Sequence, residues 1–475
     1  MTQPIQATGP AAQILASAGQ ALGLATPQSR LHITQPATLD SCFPVADLAV
    51  AAIGTAGLAV ADLLAALPGS SEPQAPIIIN QRSLVRWFAS SITPIGWQIQ
   101  AAWDAIAGDY PTRDGWIRLH TNAPHHRAAA LEILRVAPNR ESVAAATFQW
   151  LSDELESAII AAGGCAARMR SQADWSTHPQ GRAVAAEKLI AIERIEPRGT
   201  PAPLTAWQPD AARPLRGIRV LDLTRILAGP VATRFLAGLG ATVLRLDPPD
   251  WDEPSLAPDV TLGKYCARLD LRDAAGRDHF RDLLGKADIL IHGYRPGALD
   301  RLGLTANTRQ RINPALIDIS LCAWGWTGPW AGRRGFDSLV QMAAGIAEAG
   351  MRWRQADRPV PLPVQAIDHA TGYLMAAAAL RGLTLRLRSQ TAFTARLSLA
   401  RTAASLVDAT RQSNPAIADH PASDDSAIPD YSDTVEQTAW GPARRLRSPI
   451  QIGDVTLHWD RPASPLGSAP PDWPD

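Results

Sequence analysis

Asp368 is the carboxylate best placed for chemistry in this chain. It follows a short apolar approach, residues 364–367, and stands directly before a predicted helix over 369–380. Such a position suits an N-cap, for which aspartate is a preferred residue. A helix N-terminus also keeps a carboxylate ionised and oriented, and an oriented carboxylate can attack an activated acyl group to form a covalent intermediate. The two roles are compatible, and position alone does not choose between them. The basic residues nearby favour a polyanionic ligand. Lys264 follows Gly263 ahead of a strand, and Gly293, Tyr294 and Arg295 stand at the C-terminal end of another. Arg301 lies on the next helix, and Arg333 and Arg334 precede the helix carrying Asp337. Singly, each reads as a solvated surface charge. Together at strand-to-helix turns they suit phosphate groups.

The elements that must position these residues are organised around residues 217–247. Apolar runs at 218–223 and 242–246 have strand length. Between them, Ala228-Gly229-Pro230 opens a helix whose Val231, Ala232, Phe235, Leu236 and Leu239 share one face. This is a βαβ pattern whose helix N-terminus can receive an anion, or simply a core unit with no ligand. It lacks the G-x-G-x-x-G of a dinucleotide site. Further strands at 265–271, 287–292, 315–321 and 393–399 alternate with helices at 274–284, 296–302 and 336–349. That alternation predicts a parallel, doubly wound sheet. Upstream, a strand at 115–119 and helices near 125–135, 141–147 and 150–162 predict a smaller α+β unit.

The expected division is a loosely attached leader over 1–40, a partial first copy of large-domain elements over 41–108, and a small α+β domain over 109–200. A large domain over 214–410 follows, then a polar linker and tail over 411–475. Residues 197–215 read as the inter-domain linker, and about 412–438 as a flexible connection. A partial internal duplication is expected, because Pro44-Val45-Ala46-Asp47 with its Ala/Gly/Leu helix parallels Val364 to Asp368 with its own. Asp47 would then match Asp368 in position but cap a helix and do no chemistry.

The 475 residues carry 45 basic and 45 acidic side chains, so no global charge points to nucleic acid or a membrane surface. Four cysteines, Cys42, Cys165, Cys266 and Cys322, have no metal-ligand or CxxC spacing, which fits reduced thiols in a cytoplasmic protein. The apolar stretch at 48–67 carries Asp62 and reads as a buried helix, not a membrane span.

Six ordered motifs then resemble one family. VLDLTRILAGPVATRFLAGLGATVLRLD, GKYCARLDL, ADILIHGYRPGALDRLGL, NPALIDISLCAWGWTGPW, RRGFDSLVQMAAG and VQAIDHATGYLMAAAAL occur in the order seen in family III CoA-transferases, the CaiB/BaiF group of formyl-CoA and carnitine-CoA transferases. The likeness is strong over about 214–400 and weaker over 110–200. It implies a Rossmann-like large domain plus a small domain, in a homodimer or a pseudo-dimeric chain. It implies Asp368 as nucleophile toward an acyl-CoA, with Asp337 as its neighbour. Leu227 and Ala228 would line the CoA, Lys264, Arg301 and Arg334 would meet its phosphates, and Gly293, Tyr294 and Arg295 would flank the adenosine or diphosphate. Coenzyme A enters as substrate alongside a small carboxylic acid, with no permanently bound cofactor and no metal. The related α-methylacyl-CoA racemases place a histidine in a G-H-D motif where this chain reads Gly335-Phe336-Asp337. A non-catalytic CoA-binding homologue is a third expectation.

Overall fold

The computed structural model describes residues 3–4, 9–25, 27–67, 76–195, 207, 212–389, 392–412 and 430–474. Its centre is a mixed α/β layer built on six parallel strands: β1 (Arg219–Leu223), β2 (Thr242–Asp247), β3 (Lys264–Arg268), β4 (Ile289–His292), β5 (Ile317–Cys322) and β6 (Ala392–Ser398). They lie side by side in the order β3-β2-β1-β4-β5-β6, and a seventh strand, Ala191–Ile195, pairs antiparallel with β6. The connecting helices include α1 (Ala228–Gly238), α2 (Ala274–Gly285), α3 (Asp337–Ala343), α4 (Ala366–Ser389) and α5 (Leu399–Gln412).

Strand alternation divides the core in two. Val220, Val243, Ile289, Ile291, Ile317 and Ile319 belong to the larger cluster, with α1, α4 and α5. Leu221, Leu223, Leu244, Leu246 and Leu290 face the other way, onto Phe280, Leu283 and Leu284 of α2. Side chains two apart share a face, so the continuous apolar runs reflect a sheet buried on both sides. The strand order turns back between β1 and β4, and a ligand crevice opens at such a point, outside the carboxyl ends of the strands.

The expected helix over 336–349 is two helices, α3 and Ile346–Arg354. Gly345 separates them with φ of 79°, and a Cβ there would stand 2.3 Å from the backbone nitrogen of Gln172. The close approach of the smaller unit breaks the helix. That unit has the sheet Gly108–Thr112, Gly115–Leu119 and Ala166–Arg168, all antiparallel. Helices Pro124–Leu134 and Ser152–Ala161 cover it, with Tyr110, Ile117, Leu119, Leu155 and Ile159 in its own core.

Several boundaries differ from expectation. The stretch expected as a loose leader contains helix Pro10–Leu22, whose Ile14, Leu15, Ala18 and Leu22 join the main core. Strand Leu31–Thr34, also within it, pairs parallel with Ile77–Asn80. The tail is not a polar linker where it is described. Tyr431–Thr438 and Gly441–Leu446 form a hairpin onto Ile92–Pro94, and Ile450–Ile452 pairs antiparallel with Ile77–Asn80. Residues 413–429, and the expected linker at 197–215 apart from Trp207 and residues 212–215, lie outside the described residues. Composition misled here, because polar edge strands look like linker when their apolar partners lie far away in sequence.

Among the described residues one helix, Val45–Ala65, is long and apolar enough to cross a membrane, and 89% of its apolar window is buried inside the molecule. It packs against α4 and, at Gly57, onto the strands: a Cβ there would stand 2.8 Å from Ile450 Cδ1 and 3.0 Å from Ile77 Cγ2. Glycine lets the helix settle close to the sheet.

Candidate active site

The turn from β1 into α1 is shaped from below by Asp222. Its carboxylate accepts from the Thr224 N–H (2.9 Å), the Thr224 hydroxyl (2.5 Å), the Thr233 hydroxyl (2.5 Å) and the Lys264 ammonium (3.1 Å). Thr224 then crowds Gly229, where a Cβ would fall 2.2 Å from the Thr224 Cβ. Only glycine fits there. Ile226 takes a φ of 66°, a strained conformation for a β-branched side chain, and its N–H donates to Glu253 at 2.6 Å. Glu253 is itself held by Arg245 and the Trp251 indole, both at 2.8 Å.

Helix α4 closes against this turn through Gly372, whose added Cβ would stand 2.4 Å from the Ala228 carbonyl oxygen. Asp368 therefore lies beside the N-terminus of α1. It is not an N-cap: α4 starts at Ala366 and Asp368 sits in its first turn. The Asp368 N–H donates to Asp337 Oδ2 at 2.8 Å, and the Gln341 amide holds Asp337 Oδ1 at 2.5 Å. Gln341 is fixed in turn by the Leu362 N–H at 2.7 Å. Burial pushes Asp337 up to about 6, and burial followed by the neighbouring Asp337 charge pushes Asp368 well above the ordinary carboxylate range. Two carboxyls this close resist ionising together.

A cavity of about 430 Å³ opens over Asp368, within the usual range for small-molecule sites. Of the expected residues, Ala228, Gly293, Tyr294, Arg295, Arg301, Arg334 and Asp368 line it. Asp337 lies behind, fully buried. Leu227 is packed in the main core and supplies the residue before α1. Lys264 is a correction: it is fully buried, paired with Asp222 and the Pro230 carbonyl (3.0 Å), and cannot meet a phosphate in the cavity. Its position at the start of β3 turns the side chain inward, and a buried ammonium needs that carboxylate.

The cavity also draws on Arg225, His125 and His126, which local pattern did not mark, and on both arginines of the Arg333-Arg334 pair. Arg225 lies over the rings of Trp251 (4.9 Å) and Tyr294 (5.4 Å). Arg333 stacks on Trp330 at 4.1 Å and pairs with Glu156 of the smaller unit at 3.0 Å, a carboxylate also held by Arg170 at 2.7 Å. The Arg334 guanidinium donates to the Gly163 carbonyl at 3.0 Å. From the smaller unit, His125 and His126 complete the wall. Arg225 could have been found as a basic residue in the turn just after the first strand, but the histidines carry no local signal. His369, next to Asp368 in sequence, faces away and stacks on Phe88 at 4.6 Å. Among the described residues no cluster of metal-ligating side chains occurs.

Residues 215–432 match the model of CoA-transferase family III. The chain is 32% identical over 228 residues to an acetyl-coenzyme A transferase of Hypoxylon pulicicidum, covering 46% of this chain and 38% of that one. It is 33% identical over 192 residues to a probable fatty acyl-CoA transferase of Mycobacterium tuberculosis, covering 38% and 48%. Identity to the succinyl-CoA:glutarate CoA-transferase of Mus musculus is 31% over 193 residues, covering 38% and 44%. The chain thus spans less than half the length of these curated relatives. A crystal structure of the M. tuberculosis protein shares 30% identity and covers 43% of this chain and 59% of that one, with a TM-score of 0.38.

Proposed function

We propose that this chain, whose residues 215–432 match the model of CoA-transferase family III, moves CoA between an acyl-CoA thioester and a free carboxylic acid, with Asp368 as nucleophile. The observation that carries the reading is a buried carboxylate sharing one cavity with Arg225, Arg295, Arg301, Arg333 and Arg334. An Asp368 oxygen bonds to the donor acyl carbon, the C–S bond breaks, and CoA leaves as thiolate, giving a mixed anhydride between Asp368 and the donor acid. The thiolate then attacks the aspartyl carbon and the donor acid departs, leaving an aspartyl-CoA thioester. The acceptor carboxylate attacks that thioester, giving a second anhydride and thiolate. Attack of the thiolate on the acceptor acyl carbon yields the new acyl-CoA and regenerates Asp368. Intact-mass measurement after incubation with a mixed acyl-CoA panel, with hydroxylamine trapping, tests the reading; no adduct with any donor sinks it.

The arginines suit the phosphates of CoA. Arg301→Ala and Arg334→Ala are each expected to weaken CoA binding by about 1–3 kcal/mol, the scale of hydrogen bonds to charged groups. Calorimetric titration with CoA checks this, and unchanged affinity in both variants removes the phosphate role.

A nucleophilic Asp368 must be ionised, so its raised pKa sets the acid side of the pH profile. Turnover falls as pH drops through a range above that of an ordinary carboxylate. Asp337→Asn removes the neighbouring charge and keeps an oxygen for the Asp368 N–H, so the acid limb moves to lower pH. An acid limb that stays in place in this variant separates the two carboxyls.

The sheet order supports a Rossmann-like, doubly wound large domain over 214–410 beside a small domain over 109–200. A partial duplication and a pseudo-dimeric chain are supported by matching pieces. Helix Val45–Ala65 lies between the parallel strands Leu31–Thr34 and Ile77–Asn80, as α4 lies between β5 and β6, and each second strand takes an antiparallel neighbour. Asp47 and Asp368 are both third in their helices. Asp47 is not among the cavity residues, and its first-turn position favours a charge at the helix N-terminus. The reduced thiols fit a cytoplasmic setting, all four cysteines being free.

The racemase reading draws on the imidazole of His126 in the cavity wall, and is tested by deuterium uptake α to the thioester in heavy water. CoA binding with no exchange across the panel would instead mark a non-catalytic homologue.

A further inference from the structure

Asp368 stands between two neighbours of opposite character. Three residues further along α4, the hydroxyls of Thr371 and Thr402 meet at 2.8 Å and tie α4 to α5. Thr402 is likewise three residues after Leu399, the first residue of α5. Four residues past Asp368, Gly372 packs on the Ala228 carbonyl at the start of α1. Residues three and four apart share one face of a helix. The Asp368 carboxyl is therefore flanked by the turn into α1 on one side and by Leu399 on the other.

The two flanks differ in charge. The turn into α1 carries Arg225, and the segment after the adjacent β4 carries Arg295 and Arg301. On the other flank the cavity is lined by Leu321, Cys322 and Ala323 at the end of β5, and by Leu399. These strand ends are joined: Cys322 pairs with Ser398, and the Ala400 N–H donates to the Ala323 carbonyl at 2.9 Å. Burial holds the Cys322 thiol up at about 12, so it is uncharged. Arg333 and Arg334, further along the loop after β5, reach away to Glu156 and the Gly163 carbonyl of the smaller unit.

The cations are also matched to CoA alone. Its diphosphate and phosphate monoester carry about four negative charges at neutral pH. Of the five cavity arginines, Arg333 alone is paired with a carboxylate among the described residues, which leaves Arg225, Arg295, Arg301 and Arg334 for the phosphates. A second carboxylate on the acyl group would lie against Leu321 and Leu399 with no positive partner, and an unpaired charge in apolar surroundings is strongly disfavoured.

We propose that the acyl groups exchanged at this site are uncharged hydrocarbon chains lodged against Leu321, Cys322, Ala323 and Leu399, so that donor and acceptor are both monocarboxylic acids. The proposal rests on the transferase reading and names its substrate class. A thioester held by its phosphates on the arginine flank presents its acyl carbon at Asp368, and the chain beyond that carbon continues onto the apolar flank.

The test follows adduct formation on Asp368 by intact mass over time with two matched pairs of donors. Butyryl-CoA is set against succinyl-CoA, and hexanoyl-CoA against adipoyl-CoA; within each pair the chain length is equal and one member ends in a carboxylate. The uncharged member of each pair is expected to react about 10²-fold faster. Leu399→Arg places a cation on the apolar flank and should reverse the order of butyryl- and succinyl-CoA. If that variant does not fold, the comparison on the wild-type protein decides alone. The proposal is overturned if the carboxylated member of either pair reacts as fast as its partner, if adducts form only with charged donors, or if a folded Leu399→Arg protein keeps the wild-type order. Absence of an adduct with any donor of the wider panel sinks the transferase reading itself.

Discussion

Asp368→Asn is expected to abolish CoA transfer, by on the order of 10⁴-fold or more, the scale for losing a residue that acts as a unit with its site. The amide keeps the shape of the side chain but cannot form the anhydride. The same change should leave the protein equally or more stable near neutral pH. A carboxyl whose pKa rises on folding binds its proton more tightly in the native state. Stability is then lost as pH rises from the unfolded pKa through the folded one, and neutral pH lies on the costly side. Burial and Asp337 both raise Asp368, so an uncharged residue there removes that cost. Turnover assays and urea unfolding midpoints at pH 7 check the two halves. An active Asp368→Asn protein removes the nucleophile assignment. An inactive protein with a much lower midpoint leaves loss of folding as the explanation.

Lys264→Met should unfold the protein far more readily while saying little about CoA. Both side chains of the Lys264–Asp222 pair are fully buried, and removing one partner strands the other charge. Breaking such a pair costs about 3–5 kcal/mol. Asp222 also anchors Thr224 and Thr233, so the strained first turn would lose its support. Combining Lys264→Met with Asp222→Asn should recover a substantial part of the loss, because no buried charge then remains. The measurement is the urea midpoint of the single and double variants, with CoA affinity determined below the transition. A Lys264→Met protein of normal stability and weakened CoA binding would restore the phosphate role that burial argues against.

What the sequence determined by itself was the set of elements in the larger unit and most of one wall of the site. Runs of Val, Ile and Leu bounded by glycine, proline or polar turns fall at β1, β2, β4 and β5, because burial on both faces demands largely apolar strands. The alternation with helices gave a parallel sheet, and the strand ends then placed Gly293, Tyr294, Arg295 and Arg334 around Asp368. Those are local matters of period, turn chemistry and order.

Tertiary structure decided which way polar side chains face and what comes from far along the chain. A lysine before a strand reads alike whether it points to solvent or to a buried aspartate; Lys264 is inside because its ammonium meets Asp222 and the Pro230 carbonyl of α1. Helix α4 begins two residues before Asp368 because Asp337, 31 residues away, receives its N–H. A polar strand such as Gly441–Leu446 looks like linker until its distant partner, Ile92–Pro94, pairs with it. His125 and His126 line the site, and Glu156 reaches Arg333, only because the smaller unit docks there. No periodicity encodes that docking, since it arises from surfaces that meet once both units have folded.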